Sequence, residues 1–367
     1  MSQFDMFVGN GLLFVFVLIE AAIIKFYLKK ELPIKELIMN LNSGHILLWI
    51  LRGLEVAAYI YTFHKFSFML LETTPIWVVW IFAFFLWDFM FYWLHRTHHL
   101  WKILWSIHVV HHEGEHFSLS LGIRNSWYSS LSSFPYFIVM ALIGIRPEIF
   151  IAVSSIHYMI QFYNHNHLVK KSGFLELFMI TPAHHRVHHG KNDPYIDKNF
   201  GGTFSFWDKL FGTFQLEDAK NPVQIGILNP VKSNNPIQVN NVPFKQMIDE
   251  SYEYNSKTKE RIIPNHILIS GALLLFSMLL AFILYQHQLD KFYVGCLFLT
   301  IFLGTLSNGF VLDGNSFSIP FWFLSNILAP IFLLFNFQLA TIGLNVLIGF
   351  YLIHGIYNCL YLIKNKA

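Results

Sequence analysis

The chain reads as an all-α integral membrane protein, a multi-span helical bundle with a histidine-rich dimetal site at its cytoplasmic face. Composition is the first observation behind this. The residues are 54% apolar and 18% aromatic, and only 13% are charged, about half the charged share usual in soluble globular proteins. Second, apolar runs of spanning length recur along the whole chain, and about 20 such residues cover the hydrocarbon core of a bilayer. Third, histidines cluster: six fall between His95 and His112, and four between His184 and His189.

Taken in order, apolar stretches near 6–28, 44–63 and 75–94 form three spans. Lys25, Lys29, Lys30 and Lys35 follow the first, and Lys364 and Lys366 close the chain. Assigning these lysines to the cytoplasm places the N-terminus outside and ends the third span inside, at His95. No cleavable signal peptide is expected, because no short apolar region is followed by a small-residue cleavage site. The segment 130–163 is apolar but broken at Ile145-Arg146-Pro147. Proline suits the first turn of a new helix, which predicts a helical hairpin that enters and leaves on the cytoplasmic side.

Residues 164–263 form a long polar stretch, in which the run from Asn221 to Asn241, with Pro222, Pro230 and Pro236, is expected to be irregular surface chain. Spans near 264–285, 292–311, 318–337 and 339–362 follow, for a total of about 7–9 membrane segments, the hairpin included. Three domains are expected: N-terminal transmembrane helices over 1–74, a catalytic domain with a His-rich cap over 75–263, and C-terminal transmembrane helices over 264–367.

The histidines carry the chemistry. They read His95-x3-His99, His108-x2-His111-His112 and His185-x2-His188-His189, and spacings of three and four put such residues on one helical face. Neutral imidazole is the commonest metal ligand, and one zinc ion is usually satisfied by four ligands. The eight histidines of these motifs therefore suffice for two metals. His165 follows the hairpin and returns to the same face as a ninth candidate, with His184 as a near neighbour. Imidazole donors suit iron, zinc, copper and nickel rather than magnesium or calcium. Beside lipid-facing aromatics, such a centre suits the activation of dioxygen and attack on an unactivated C–H bond. His45, His64, His157, His266, His287 and His354 are expected to be interfacial or packed.

Supporting residues are also legible. Asp88, Tyr92 and His95 form one stripe of the third span, and a charge there is expensive unless it does something. Accepting the second N–H of a ligand imidazole is the role expected of Asp88. Gln161 stands one turn before His165, able to orient a ligand or to make a helix-packing hydrogen bond. Glu115, Arg124, Asp197, Lys198 and Asn199 flank the motifs; of these Asp197 and Asn199, with Asp88 and Gln161, are the candidate catalytic residues.

The three motifs, in this order, resemble the fatty acid hydroxylase superfamily, also called the sterol desaturase family, over roughly residues 75–215. Local similarity is greatest to alkylglycerol monooxygenases and their bacterial relatives. It rests on Trp87-Asp88-Phe89 through His95-Arg96, on Thr181 through Gly190, on Asp197 through Gly202, and on Trp207 through Phe214. The resemblance implies two iron ions held by His95, His99, His108, His111, His112, His165, His185, His188 and His189. It also implies a lipid substrate, O2, and an external reductant or electron-transfer protein, tetrahydrobiopterin in the alkylglycerol enzymes. Two positions depart from the pattern. Leu100 stands where alkylglycerol enzymes carry an acidic residue, and Gln161 where other hydroxylases offer another histidine.

The expected activity is hydroxylation of a lipid C–H bond, with cleavage of an alkylglycerol ether as one outcome and sterol, fatty-acid or carotenoid hydroxylation or desaturation as alternatives. A metal transporter is the competing class. It predicts ionisable residues along a membrane path, and the C-terminal spans offer almost none beyond His354. A formal net charge of +3 gives no reason to expect nucleic acid. Cys296 and Cys359 lie inside apolar spans, so neither a disulfide framework nor a thiolate metal site is expected.

Overall fold

The computed structural model describes residues 3–42, 44–254, 264–313, 318–336 and 342–364. Among these the protein is helical, with strand pairing limited to isolated bridges. The helices are α1 (Gln3–Ala22), α2 (Ile34–Asn42), α3 (His45–Phe66), α4 (Ile76–Leu100), α5 (Lys102–His112), α6 (Ser129–Ile143), α7 (Pro147–Asn164) and α8 (Pro182–His188). They continue with α9 (Phe206–Leu210), α10 (Pro236–Ile248), α11 (Asn265–Tyr285), α12 (Lys291–Leu312), α13 (Ser318–Phe323), α14 (Ala329–Asn336) and α15 (Ile342–Lys364). Among the described residues, six segments are long and apolar enough to cross a membrane: Val8–Tyr27, Ile34–Phe66, Ile76–Leu100, Asn265–Tyr285, Lys291–Leu312 and Ile342–Tyr361. The chain is an integral membrane protein.

Two compact units are present, residues 48–230 and residues 2–47 with 231–367. In the first, α4 packs on α6 and α7. Trp87, Phe137, Met140, Phe150 and Val153 of these helices form a buried core with Tyr59 of α3. The expected hairpin forms as predicted around the break at 145–147. Gly144 takes a left-handed conformation at φ +109° and closes α6, and Pro147 opens α7. That φ favours glycine. A side chain there would also meet the Met69 backbone at 3.0 Å, where Phe68 and Leu70 N–H groups donate to the carbonyls of Leu142 and Ile143.

In the second unit α11 packs on α1, α2, α12 and α15. The apolar stretch expected as one span at 318–337 is α13, a π-helical turn over Leu324–Leu328, and α14. The run through Asn241 departs from the expected irregular chain, because α10 begins at Pro236. Pro236 occupies the first helical turn and the Asn235 side chain caps the helix by accepting from Ile237 N–H at 3.0 Å. Proline after an asparagine is a helix start here, not a breaker, and the buried Val239 and Val242 hold the helix down.

Candidate metal centre

Nine histidines converge in two groups. The first holds His95 and His99 from α4, His108 and His112 from α5, and His188 from α8. The second holds His111 from α5, His165 after α7, His185 from α8, and His189 just beyond it. Within each group, one ring nitrogen from every residue lies within 4.8 Å of the others. The tandem motifs are split between the groups. His111 and His112 part company, as do His188 and His189, because adjacent helical residues project about 100° apart at 3.6 residues per turn. One face per motif, as the spacing suggested, becomes one helix serving both groups.

The ring orientations fit metal ions. His95 Nδ1 donates to Phe200 O at 2.9 Å, His188 to Lys198 O at 2.8 Å, His111 to Arg124 O at 2.8 Å and His165 to Gln161 O at 2.8 Å. His99 Nδ1 donates to Asp197 Oδ1 at 3.1 Å. With the proton on Nδ1, each Nε2 offers a lone pair inward. His111 and His165 Nε2 nonetheless sit 3.1 Å apart with no proton to share, and His185 Nε2 lies 3.0 Å from His165 Nε2. In the first group His95, His112 and His108 Nε2 atoms are separated by 3.0 and 3.1 Å, and His188 and His112 by 3.1 Å. Nitrogens about 2.0–2.1 Å from one ion are about 3.0 Å apart at right angles and about 3.4 Å apart in a tetrahedron. The buried His99 Nε2 has no hydrogen-bond partner among the described residues. Lone pairs facing one another in a dry site are stable only around a cation.

The site is held neutral. Burial and neighbouring imidazoles keep His108, His112, His185, His188 and His189 well below the ordinary imidazole value, and burial brings His111 down to about 4.

Asp88 does not hold a cluster histidine. It is fully buried and accepts from His157 Nε2 at 2.8 Å, Thr203 N at 2.7 Å, Phe204 N at 3.3 Å and Trp207 Nε1 at 2.8 Å. Tyr92 reaches Thr213 Oγ1 at 3.0 Å, and His95 reaches Phe200. The Asp88–Tyr92–His95 stripe is therefore the seat on which the loop 200–213 docks. Gln161 donates to Gly202 O at 2.5 Å, a packing bond between α7 and that loop. Asn199 lies off the clusters, bridging His184 O and Gln215. His184 itself turns away, donating to Met179 O.

Several supports carry no readable sequence signal, since backbone carbonyls of Phe200, Arg124, Gln161 and Lys198 accept from the ligands. Asp208 could have been noticed as a second buried carboxylate. It accepts from Phe200 N, Gly201 N and Thr213 Oγ1 at 2.7–2.8 Å, and burial pushes it up to about 6. Arg124 is fixed by a buried ion pair with Glu113 at 2.8 Å.

Comparison with known proteins places this arrangement. Residues 80–213, which contain all nine histidines, match the family model for fatty acid hydroxylases. This segment is similar to fatty acid hydroxylase domains. Over 204 residues, 55% of this chain, the sequence is 38% identical to an alkylglycerol monooxygenase of Danio rerio, covering 45% of that protein. The human alkylglycerol monooxygenase is 37% identical over 188 residues, 51% of this chain and 41% of its own length. An ornithine lipid hydroxylase, OlsE, of Rhizobium tropici is 28% identical over 149 residues, 39% of this chain and 44% of its own length. The match thus spans less than half of each of these relatives. No solved structure matches. The matched segment therefore includes both histidine groups, the hairpin and the loop docked on Asp88.

Proposed function

We propose that the chain is a membrane-bound non-haem diiron oxygenase that uses O2 to hydroxylate a C–H bond of a lipid. The observation that carries this is the pair of neutral, buried, all-imidazole clusters, one of five histidines and one of four. Iron suits such donors, and two iron ions would supply the redox chemistry for oxygen activation. His95, His99, His108, His112 and His188 would hold one ion, and His111, His165, His185 and His189 the other.

The chain's own residues set the conditions for that chemistry. Backbone carbonyls fix four of the imidazoles, so their lone pairs are aimed before any ion arrives. Asp197 orients His99 and is the one carboxylate among these imidazole acceptors. Asp88, Gln161 and Asn199 hold the loop and keep the clusters dry. The catalytic domain is taken as residues 75–263, with its site on the cytoplasmic face, in keeping with the lysines after the first span.

The alkylglycerol monooxygenase similarity favours an ether lipid as substrate. In the overall reaction, R–CH2–O–R′ with O2, two electrons and two protons gives R–CH(OH)–O–R′ and water. The hemiacetal then collapses to an aldehyde and a free glycerol hydroxyl. An external reductant of the tetrahydrobiopterin class supplies the electrons. The ornithine lipid hydroxylase match favours a second reading, in which a lipid acyl chain is hydroxylated without cleavage.

Purified protein in detergent, with iron measured per chain, tests the proposal when incubated with an alkylglycerol, tetrahydrobiopterin and O2. Two irons and a fatty aldehyde are expected. Two irons with a hydroxylated acyl lipid selects the second reading, and absence of iron from protein produced with iron available overturns both.

A further inference from the structure

Part of the cap lies beside the membrane-spanning part of α4 rather than above it. Phe204 stacks on Phe85 with ring centroids 5.1 Å apart, and Trp207 packs on Phe89 at 5.0 Å. Phe85 and Phe89 stand fifteen and eleven residues before Leu100, the last residue of α4. At about 1.5 Å per residue that is about 22 and 16 Å back along the helix. The 25 residues of α4 measure about 37 Å, against a hydrocarbon core of about 30 Å. Even with all the surplus on the cap side, Phe85 stays about 15 Å and Phe89 about 9 Å inside that core.

The loop is built for such depth. Non-helical backbone survives in hydrocarbon only when its polar groups are paired within the protein. Thr203 and Phe204 N–H donate to Asp88, and Gln161 and Asn164 donate to Gly202 O. Ile180 N–H donates to Thr203 O, and Ser205 N–H to Phe178 O. Lys209 Nζ donates to Leu177 O at 2.6 Å. Asp88, costly as a lone charge in a span, is the acceptor around which the loop is fastened.

What the loop turns outward is apolar. Phe206 is 54% exposed and Leu210 58%, and the segment bridged to it through Met179 and Phe204 exposes Phe174 at 72% and Leu177 at 73%. Water-facing caps rarely show four such side chains together. Lys171 is exposed beside them, as lysines are at a headgroup boundary, and the Lys209 ammonium is satisfied by the Leu177 carbonyl. A shallow groove of about 280 Å³ between α4 and α7, lined by Trp80, Ile81, Phe84, Phe85, Val153 and Ile156, continues the same apolar surface. Phe204 touches both Phe84 and Phe85 at its edge.

We propose that residues 174–178 and 204–210 are embedded in the membrane as a re-entrant flap whose exposed side chains contact lipid acyl chains. The flap depends on α4 as a membrane span and not on the oxygenase chemistry, so either can fail alone. The partner is the acyl region of the surrounding bilayer, and the groove beside Phe204 belongs to the same lipid-facing surface.

The test uses full-length protein in phosphatidylcholine nanodiscs, with Cys296→Ala and Cys359→Ala as background. Single cysteines are introduced by Leu177→Cys, Phe206→Cys, Leu210→Cys and, in the polar turn at 218–221, Lys220→Cys. Each carries an environment-sensitive fluorophore. Labels at 177, 206 and 210 should be quenched at least threefold more by lipids brominated on the acyl chain than by aqueous iodide, and the label at 220 the reverse. Leu210→Cys and Phe206→Cys report on the same segment, so loss of one variant leaves the other to decide. Iodide quenching at 177, 206 and 210 equal to that at 220 overturns the proposal. The same result at 177 alone overturns it for 174–178.

Discussion

The two histidine groups share helices and chemistry, yet they differ in how they meet their surroundings. In the four-histidine group every ring is buried, and His111 and His165 are aimed by backbone carbonyls. Behind His111 stands the buried Arg124–Glu113 pair. In the five-histidine group His99 is aimed instead by Asp197, whose side chain is 52% exposed. One group is sealed by main chain, and the other is tied to solvent through one carboxylate. A backbone acceptor cannot titrate or be exchanged by mutation, whereas a side-chain acceptor can. The sealed group should therefore be rigid and intolerant, and the open group adjustable.

The largest effect should separate the groups by ligand count. His185→Ala leaves three imidazoles in the sealed group, and His99→Ala leaves four in the open one. Both should lower turnover by on the order of a thousandfold. Iron analysis should nonetheless find about one ion per chain in the first variant and nearly two in the second. Equal iron contents would show that ligand number does not distinguish the groups.

Next is Glu113→Gln. Removing one partner of a buried ion pair costs about 3–5 kcal/mol, and here it also loosens the Arg124 carbonyl that holds His111. Thermal unfolding in detergent should show a large drop in midpoint, with metal lost from the sealed group first.

Acid should act on both groups. The folded rings of His108, His111, His112, His185, His188 and His189 are held below their unfolded value of about 6.5. The unfolded chain then binds more protons than the folded one below that pH. Their contribution to stability is complete above about 6.5 and is lost as pH falls toward the folded values. The unfolding midpoint of metal-stripped protein should fall between pH 7 and pH 5. A flat profile would mean that these rings are not buried as neutral imidazoles.

Asp197→Asn should lower iron affinity at the open group by about 10–100-fold with little change in unfolding midpoint. Competition with a chelator reads this, and an unchanged affinity would remove the difference between the groups. The smallest effect belongs to Glu217→Gln, which breaks the partly exposed pair with Arg186 at 3.1 Å. It should cost less than about 1 kcal/mol.

Much of this was legible before any fold was known. Apolar runs marked the spans because the bilayer rewards twenty or so continuous apolar residues wherever they occur. The break at 145–147 marked the hairpin because proline is best tolerated in the first turn of a helix. Where the reading missed, longer-range contacts intervened. Pro236 looked like punctuation, yet Asn235 and buried valines made it a helix start. Asp88 looked like a partner for a ligand imidazole, yet its histidine is His157, sixty-nine residues away in the chain.

The sequence by itself determined that nine imidazoles recur at ligand spacings between apolar spans, since residue type, spacing and hydropathy are local properties. It also determined, over residues 80–213, which family model that region matches. Only the tertiary structure decided how the imidazoles divide. The division of His111 from His112, and of His188 from His189, depends on which neighbouring helix each ring faces. The carbonyls that aim the rings, and the depth at which the 203–207 loop lies against α4, are likewise relations between distant segments. Such relations are set by packing, which no residue encodes alone.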